Sequence, residues 1–117
     1  MTTPAPVCHI VIPSKGLKAT AAFYEGVFGW RVDWAIPAYP FWHTENVSGA
    51  FSTQAEPALG VLLYLKVDDI DAALKAIEAA GGRTLRPKEQ IGEDKDLGFD
   101  ARFADPSGNE LGLWSAD

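Results

Sequence analysis

The chain has 117 residues, of which 47% are hydrophobic and 22% are charged. This length and balance predict one globular domain and exclude a disordered polyelectrolyte. The formal net charge of −6 argues against nucleic acid and anionic membranes as partners, because both repel a negatively charged protein.

The first half of the chain predicts a strand, a helix and three more strands. Apolar residues recur at spacings of four, three and four from Leu17 to Phe28, which is typical of one helix face, and Gly29 is suited to end that helix. Stretches rich in β-branched and aromatic residues predict strands. The predicted strands are Val7–Ile12, Trp30–Ile36, Phe41–Val47 and Ala50–Gln54.

The second half predicts the same order of elements. Asp68 and Asp69 are helix-capping residues, an alanine-rich segment with an apolar stripe follows them, and Gly81-Gly82 ends the predicted helix. The polar segment Pro87–Leu97 predicts a mobile loop. The predicted strands are Gly60–Val67, Arg83–Leu85, Gly98–Ala104 and Glu110–Ser115.

The two halves match at a constant offset of 53 residues. His9 falls on Leu62, Leu17 on Ile70, and Gly29 on Gly82. Strand, helix stripe and helix stop therefore coincide, which indicates either a duplication or two similar units that arose independently.

The chain carries no sign of export or membrane insertion. Cys8 is the only cysteine, so an intrachain disulfide cannot form, as is common in a reducing compartment. The N-terminal residues lack a basic stretch followed by an apolar run, and no run of about 18 apolar residues occurs. We expect a soluble, cytoplasmic protein with no membrane partner.

Three segments together resemble the vicinal oxygen chelate superfamily: Ala22–Trp30, Val67–Ala73 and Asp105–Leu111. This is the glyoxalase, bleomycin-resistance and dihydroxybiphenyl dioxygenase family, and the chain is most similar to small bacterial proteins related to lactoylglutathione lyase. The resemblance implies an α+β fold in a single domain, 1–117. Two βαβββ modules, at about 6–55 and 59–116, would form an open, cup-shaped mixed sheet with the helices outside.

The resemblance also implies four metal-ligand positions, on the first and fourth strands of each module. His9 lies at one of them, and Leu62 and Gly112 lie at two others. The fourth falls near Phe51 to Gln54, where the Gln54 amide is the plausible but weak oxygen donor. Leucine and glycine side chains cannot coordinate an ion. The chain therefore holds either no metal or a divalent ion (Zn, Ni, Mn or Fe) on an incomplete ligand set.

His9 and Glu110 are the candidate catalytic residues. By strand alternation His9 faces away from Ile10 and Ile12, so it can be a metal ligand, a general base, or a cavity histidine hydrogen-bonded to a neighbour. Glu110 can be a carboxylate in the cup, suited to acid–base work, or a solvated residue at a strand end.

The candidate ligand-binding residues are mostly aromatic. Leu62 and Tyr64 share one strand face, as do Glu110 and Trp114, and the resemblance directs both faces into the cup. Trp42 follows Pro40 in a segment that predicts either a pocket wall or a dimer contact.

Three functions remain open from the sequence. The first is a protein that binds a small organic molecule without a full metal site. The second is a divalent-metal-dependent lyase, isomerase or dioxygenase of the glyoxalase type. The third is a non-catalytic dimerising module. All three predict a homodimer, because an open sheet must cover its edges.

Overall fold

A computed structural model describes residues 4–54, 60–93 and 95–117 of the chain. These residues contain two helices, α1 and α2, and eight strands, β1 to β8. In chain order the elements are β1 (Val7–Pro13), α1 (Leu17–Phe28), β2 (Arg31–Asp33), β3 (Phe41–His43), β4 (Ser48–Ser52), β5 (Leu62–Lys66), α2 (Ile70–Ala79), β6 (Arg83–Gln90), β7 (Phe99–Ala104) and β8 (Glu110–Ser115). A 3₁₀ turn at Lys95–Leu97 precedes β7.

The chain divides into two compact units. The first unit comprises Cys8–Leu63, and the second comprises the rest of the described chain. The elements follow the order βαβββ twice, with parallel and antiparallel pairings in both units. The predicted α+β class with two βαβββ modules is therefore confirmed.

In the first unit the strand order is β2-β3-β4-β1. Strand β1 runs parallel to β4, and the other two pairs are antiparallel. Ala21 of α1, Trp42 and Phe51 are buried together with Ile10 and Ile12 packed against them. One sheet face thus packs on the helix, and the face that carries His9 and Val11 is the opposite one.

In the second unit the strand order is β5-β8-β7-β6. Strand β5 runs parallel to β8, and the other two pairs are antiparallel. The core consists of Ile70, Leu74, Ala101, Phe103 and Leu113, so α2 covers the face formed by the odd-numbered residues of β7 and β8. We call the other face, formed by their even-numbered residues, the helix-free face.

Both predicted helices are present, and the main correction concerns β6. The predicted strand Arg83–Leu85 continues to Gln90, whereas the sequence predicted a mobile loop from Pro87. Strand β6 lies at the end of the strand order, and its pairing with β7 shifts register on both sides of Arg86. An edge position with irregular pairing tolerates a proline, which cannot donate a ladder hydrogen bond.

Strand bounds in the first unit also differ from the prediction. Strand β2 covers only Arg31–Asp33, whereas the sequence predicted Trp30–Ile36. Strand β3 ends at His43 because the Thr44 amide and hydroxyl both donate to the Val47 carbonyl, at 2.9 and 2.8 Å, and close a turn. Strand β4 begins at Ser48 and ends at Ser52, two residues before Gln54. No helix in the described ranges is long and apolar enough to cross a membrane.

Candidate functional site

A row of residues crosses the helix-free face of the second unit from β5 to β6. Tyr64 pairs with Gly112, Gly112 with Arg102, and Arg102 with Arg86. Their neighbours Leu113 and Ala101 point into the core beneath α2, so alternation directs this row to the opposite face. Pairing thus brings one phenol and two guanidinium groups onto one surface.

The centre of the row is the contact between Arg102 and Tyr64. The Nε and Nη2 atoms of Arg102 donate to the Tyr64 hydroxyl at 3.2 and 2.8 Å. The guanidinium carbon also lies 5.4 Å from the centre of the Tyr64 ring, within the range of a cation–π contact. Tyr64 is only 7% exposed, so it gives Arg102 a firm anchor.

Three carboxylates complete the network. Arg102 Nη1 donates to Glu110 at 3.1 Å, and Arg86 Nη2 donates to Asp100 at 2.7 Å. Arg86 Nη1 also lies 3.2 Å from Glu89. The face therefore carries two cations and three anions in a connected arrangement, with partly exposed side chains.

The pKa values follow from this arrangement. Burial raises the pKa of Tyr64 and outweighs the Arg102 charge, which acts in the opposite direction. Burial alone would lower the pKa of Arg102, but Tyr64 and Glu110 raise it overall. At neutral pH the phenol is therefore protonated and the guanidinium is charged.

Gly112 is required by the Tyr64 ring. A Cβ atom at residue 112 would lie 2.4 Å from the nearest ring carbon of Tyr64, closer than real contacts allow. The space beside Gly112, at a position where the resemblance implies a metal ligand, is thus occupied by the tyrosine ring.

Trp114 lies on the same face, one row along β8. Its indole N–H donates to the Leu97 carbonyl at 3.0 Å, and its ring packs against Gly98, where a Cβ atom would come within 2.8 Å of it. The Lys66 ammonium lies 5.9 Å from the ring centre. The 3₁₀ turn before β7 therefore positions the indole.

His9 lies on the sheet face of the first unit that α1 does not cover. Its Nε2 atom is 2.9 Å from the Tyr39 hydroxyl, and the two rings stack at 6.0 Å. Phe41 approaches the imidazole edge-on. Burial lowers the pKa of His9, so the imidazole is neutral at pH 7.

Trp42 lies on the other face of the first unit, under α1. It is 2% exposed and stacks on Trp30 at 4.4 Å, as part of the helix-side core. Its indole N–H is buried and has no hydrogen-bond partner among the described residues. We therefore leave Trp42 out of the candidate site.

The pairing of β4 identifies the fourth ligand position that the resemblance implies. Val11 corresponds to Tyr64 by the offset of 53 residues. Since Tyr64 pairs with Gly112 and Val11 pairs with Ala50, Ala50 is equivalent to Gly112. Gln54 lies beyond the end of β4.

The residues present do not fit a metal ion. Ala50, Leu62 and Gly112 offer no donor atom at three of the four implied positions. Within the described parts of the chain, no three His, Cys, Asp or Glu side chains come together as a metal-binding group. We therefore derive no chemistry through a metal.

The sequence indicated Tyr64, Glu110 and Trp114 as candidates, and the structure places them on one face with Asp100, Arg102 and Arg86, which were not among the candidates. A signal for two of these was present, because Phe99, Ala101 and Phe103 alternate with Asp100 and Arg102. Alternation of this kind predicts a strand with one apolar and one polar face. No comparable pattern marks Arg86.

Comparison with known proteins agrees with this fold. The model of the family described as "Glyoxalase/Bleomycin resistance protein/Dioxygenase superfamily" matches residues 7–113. The chain belongs to this superfamily. A solved superfamily member from Vibrio splendidus 12B01 shares its fold, with a TM-score of 0.65, 14% identity, and coverage of 96% of this chain and 99% of that chain.

Two curated relatives are also similar in sequence. The "Anthracycline biosynthesis protein DnrV" of Streptomyces peucetius is 29% identical over 86% of this chain and 43% of its own length. A "Glyoxylase-like domain-containing protein" of Didymella fabae is 29% identical over 74% of this chain and 76% of its own. The chain spans only 20% to 43% of the length of the bacterial curated relatives that it matches.

Proposed function

We propose that this superfamily member binds a small organic molecule on the helix-free face of its second unit, without a metal ion. The observation that carries the proposal is the polar network around Arg102. Partly buried ion pairs add little to folding stability, because desolvation offsets their attraction. A network of this kind on the face opposite α2 is better explained by recognition of a ligand.

The composition of the face also supports a ligand site. Small-molecule sites combine apolar and aromatic surface with a few fixed polar groups. Trp114 supplies the aromatic surface, and Tyr64 holds Arg102 as the fixed polar group. The similarity to an anthracycline biosynthesis protein agrees with an organic molecule as the ligand class.

The first test is a titration of the ¹⁵N-labelled protein with 2-naphthoate and 2-naphthamide, followed by NMR. We expect the largest amide shifts for at least one of the two probes around Tyr64, Arg102 and Trp114. Shifts confined to other parts of the chain, or no shifts with either probe, would remove the proposal.

Matched variants test whether Trp114 contributes. We expect Trp114→Ala to weaken binding of the naphthyl probe by about tenfold, because a buried aromatic contact is worth on the order of 1–2 kcal/mol. Phe23 is an aromatic residue on α1 with 54% exposure. Phe23→Ala serves as the control, and its affinity is expected to match that of the parent protein.

A further inference from the structure

We infer that Arg102 binds an anionic group of the ligand, a carboxylate, and acts as a fixed cation beside the β8 position at which the resemblance implies a metal ligand. This inference rests on the proposed function and adds the chemical class of the ligand. Arg102 pairs directly with Gly112, the last-strand position that has lost its donor atom. Arg102 on β7 thus places a positive charge beside the position on β8 that has no metal-ligating side chain.

The guanidinium of Arg102 is held in place before any ligand arrives. A guanidinium group has five N–H donors, and the hydrogen bonds described above use three of them, two to Tyr64 and one to Glu110. One N–H on each terminal nitrogen remains. Two such donors match the two oxygens of one carboxylate, and a prepositioned fork loses little entropy on binding.

Arg102 has fewer carboxylate partners than Arg86 in the described network. Arg86 neutralises Asp100 and also contacts Glu89. Glu110 is thus the one carboxylate placed against Arg102 in the described network. It is the first residue of β8 and its side chain is 32% exposed, so it can turn toward solvent when a ligand carboxylate binds the two remaining donors.

Two probes of the same shape distinguish the contribution of the ligand's charge to affinity from the contribution of its apolar contacts. 2-Naphthoate carries a carboxylate, and 2-naphthamide replaces it with a neutral amide. We expect the parent protein to bind the naphthoate about tenfold more tightly, since a charge-assisted hydrogen bond to a carboxylate is worth that factor or more. In Arg102→Gln the two affinities are expected to become equal.

The control for Arg102→Gln is Arg83→Gln. Arg83 is an exposed residue of β6, and this variant changes the net charge by the same amount. It is expected to keep the tenfold preference for naphthoate. An equal loss of preference in both variants would show that overall charge decides the preference, and it would overturn the inference.

Glu110→Gln tests the same site without removing Arg102. Removing the negative charge of Glu110, which repels a carboxylate bound beside it, is expected to raise naphthoate affinity by about threefold to fivefold, the range of a partly exposed ion pair, while naphthamide affinity stays unchanged. Glu25→Gln, on the exposed surface of α1, is the control and is expected to change neither. An unchanged or lower naphthoate affinity in Glu110→Gln would contradict the inference even if Arg102→Gln failed to fold.

The outcomes distinguish this inference from the proposed function. Equal binding of naphthoate and naphthamide to the parent protein would remove the role of Arg102 and leave the ligand site in place. Binding of neither probe would remove both. A preference for naphthoate that disappears only in the Arg102 variant would establish both.

Discussion

At the scale of the residue, the face of the sheet on which an aromatic side chain lies determines its contacts. Trp42 and Tyr64 are both buried aromatic residues on strands, with 2% and 7% exposure. Trp42 lies under α1 and packs on Trp30, whereas Tyr64 lies opposite α2 and hydrogen-bonds Arg102. Only the second position can serve a ligand on the helix-free face.

The contact between Tyr64 and Gly112 leads to a prediction about stability. Gly112→Ala is expected to lower the free energy of unfolding by about 1–3 kcal/mol, because the added methyl group would overlap the Tyr64 ring. In a Tyr64→Ala background the same change is expected to cost much less. Urea unfolding of the four proteins measures this coupling, and additive effects would show that the ring does not limit residue 112.

The burial of His9 leads to a prediction about pH. Its pKa in the folded protein is below the ordinary value of 6.5, so below about pH 6.5 the unfolded chain takes up a proton that the folded chain does not. The free energy of unfolding is therefore expected to fall as the pH decreases, by at most about 1.4 kcal/mol per pH unit from this group.

Urea unfolding between pH 7.5 and 5 checks this effect of His9. His9→Gln, which can still hydrogen-bond Tyr39, is expected to flatten the pH dependence. His43→Gln keeps His9 and is expected to retain the fall in stability. An identical pH dependence in His9→Gln and the parent protein would count against a neutral, buried His9.

At the scale of the element, capping and alternation explain where α2 and β7 begin and which way they face. The Asp69 carboxylate accepts a hydrogen bond from the Ala72 amide at 3.1 Å, at the N-terminus of α2. Strand β7 turns Ala101 and Phe103 toward α2 and Arg102 away from it. Local features of the sequence thus determine which face of β7 packs against α2 and which face carries the polar side chains.

The cap of α2 can be tested by substitution. Asp69→Ala is expected to lower the free energy of unfolding by about 1 kcal/mol, because the Ala72 amide loses its acceptor. Asp68→Ala removes an equal charge next to the cap and is expected to cost less, since Asp68 accepts no hydrogen bond in the described network. Thermal and urea unfolding measure both variants, and equal losses would assign the effect to charge alone.

At the scale of the whole molecule, the superfamily fold is kept while the implied metal positions carry residues of another kind. Ala50, Leu62 and Gly112 occupy three of the four positions, and His9 has Tyr39 as a hydrogen-bond partner. The second unit instead holds the charged network of Arg102. Three of the four positions that the resemblance implies for metal ligands therefore offer no donor atom.

This difference predicts the behaviour of the protein toward metals. After dialysis against Zn²⁺, Ni²⁺, Mn²⁺ or Fe²⁺, elemental analysis is expected to find well below one ion per chain. The melting temperature is expected to stay unchanged, because an ion that binds only the folded state would raise it. One ion per chain, lost in His9→Ala, would contradict this and favour a metal-dependent enzyme.

The sequence alone determined the class of fold, the two helices with their ends, and the repeat of βαβββ. These features depend on periodicity, capping and turn residues, which act over a few neighbouring positions. The tertiary structure decided the register that places Ala50 beside Val11, the helix-side position of Trp42, and the assembly of Arg86, Asp100 and Arg102 around Tyr64. Such pairings join residues far apart in the chain, 39 positions for Val11 and Ala50 and 48 for Tyr64 and Gly112, and local patterns carry no information about which distant strands meet.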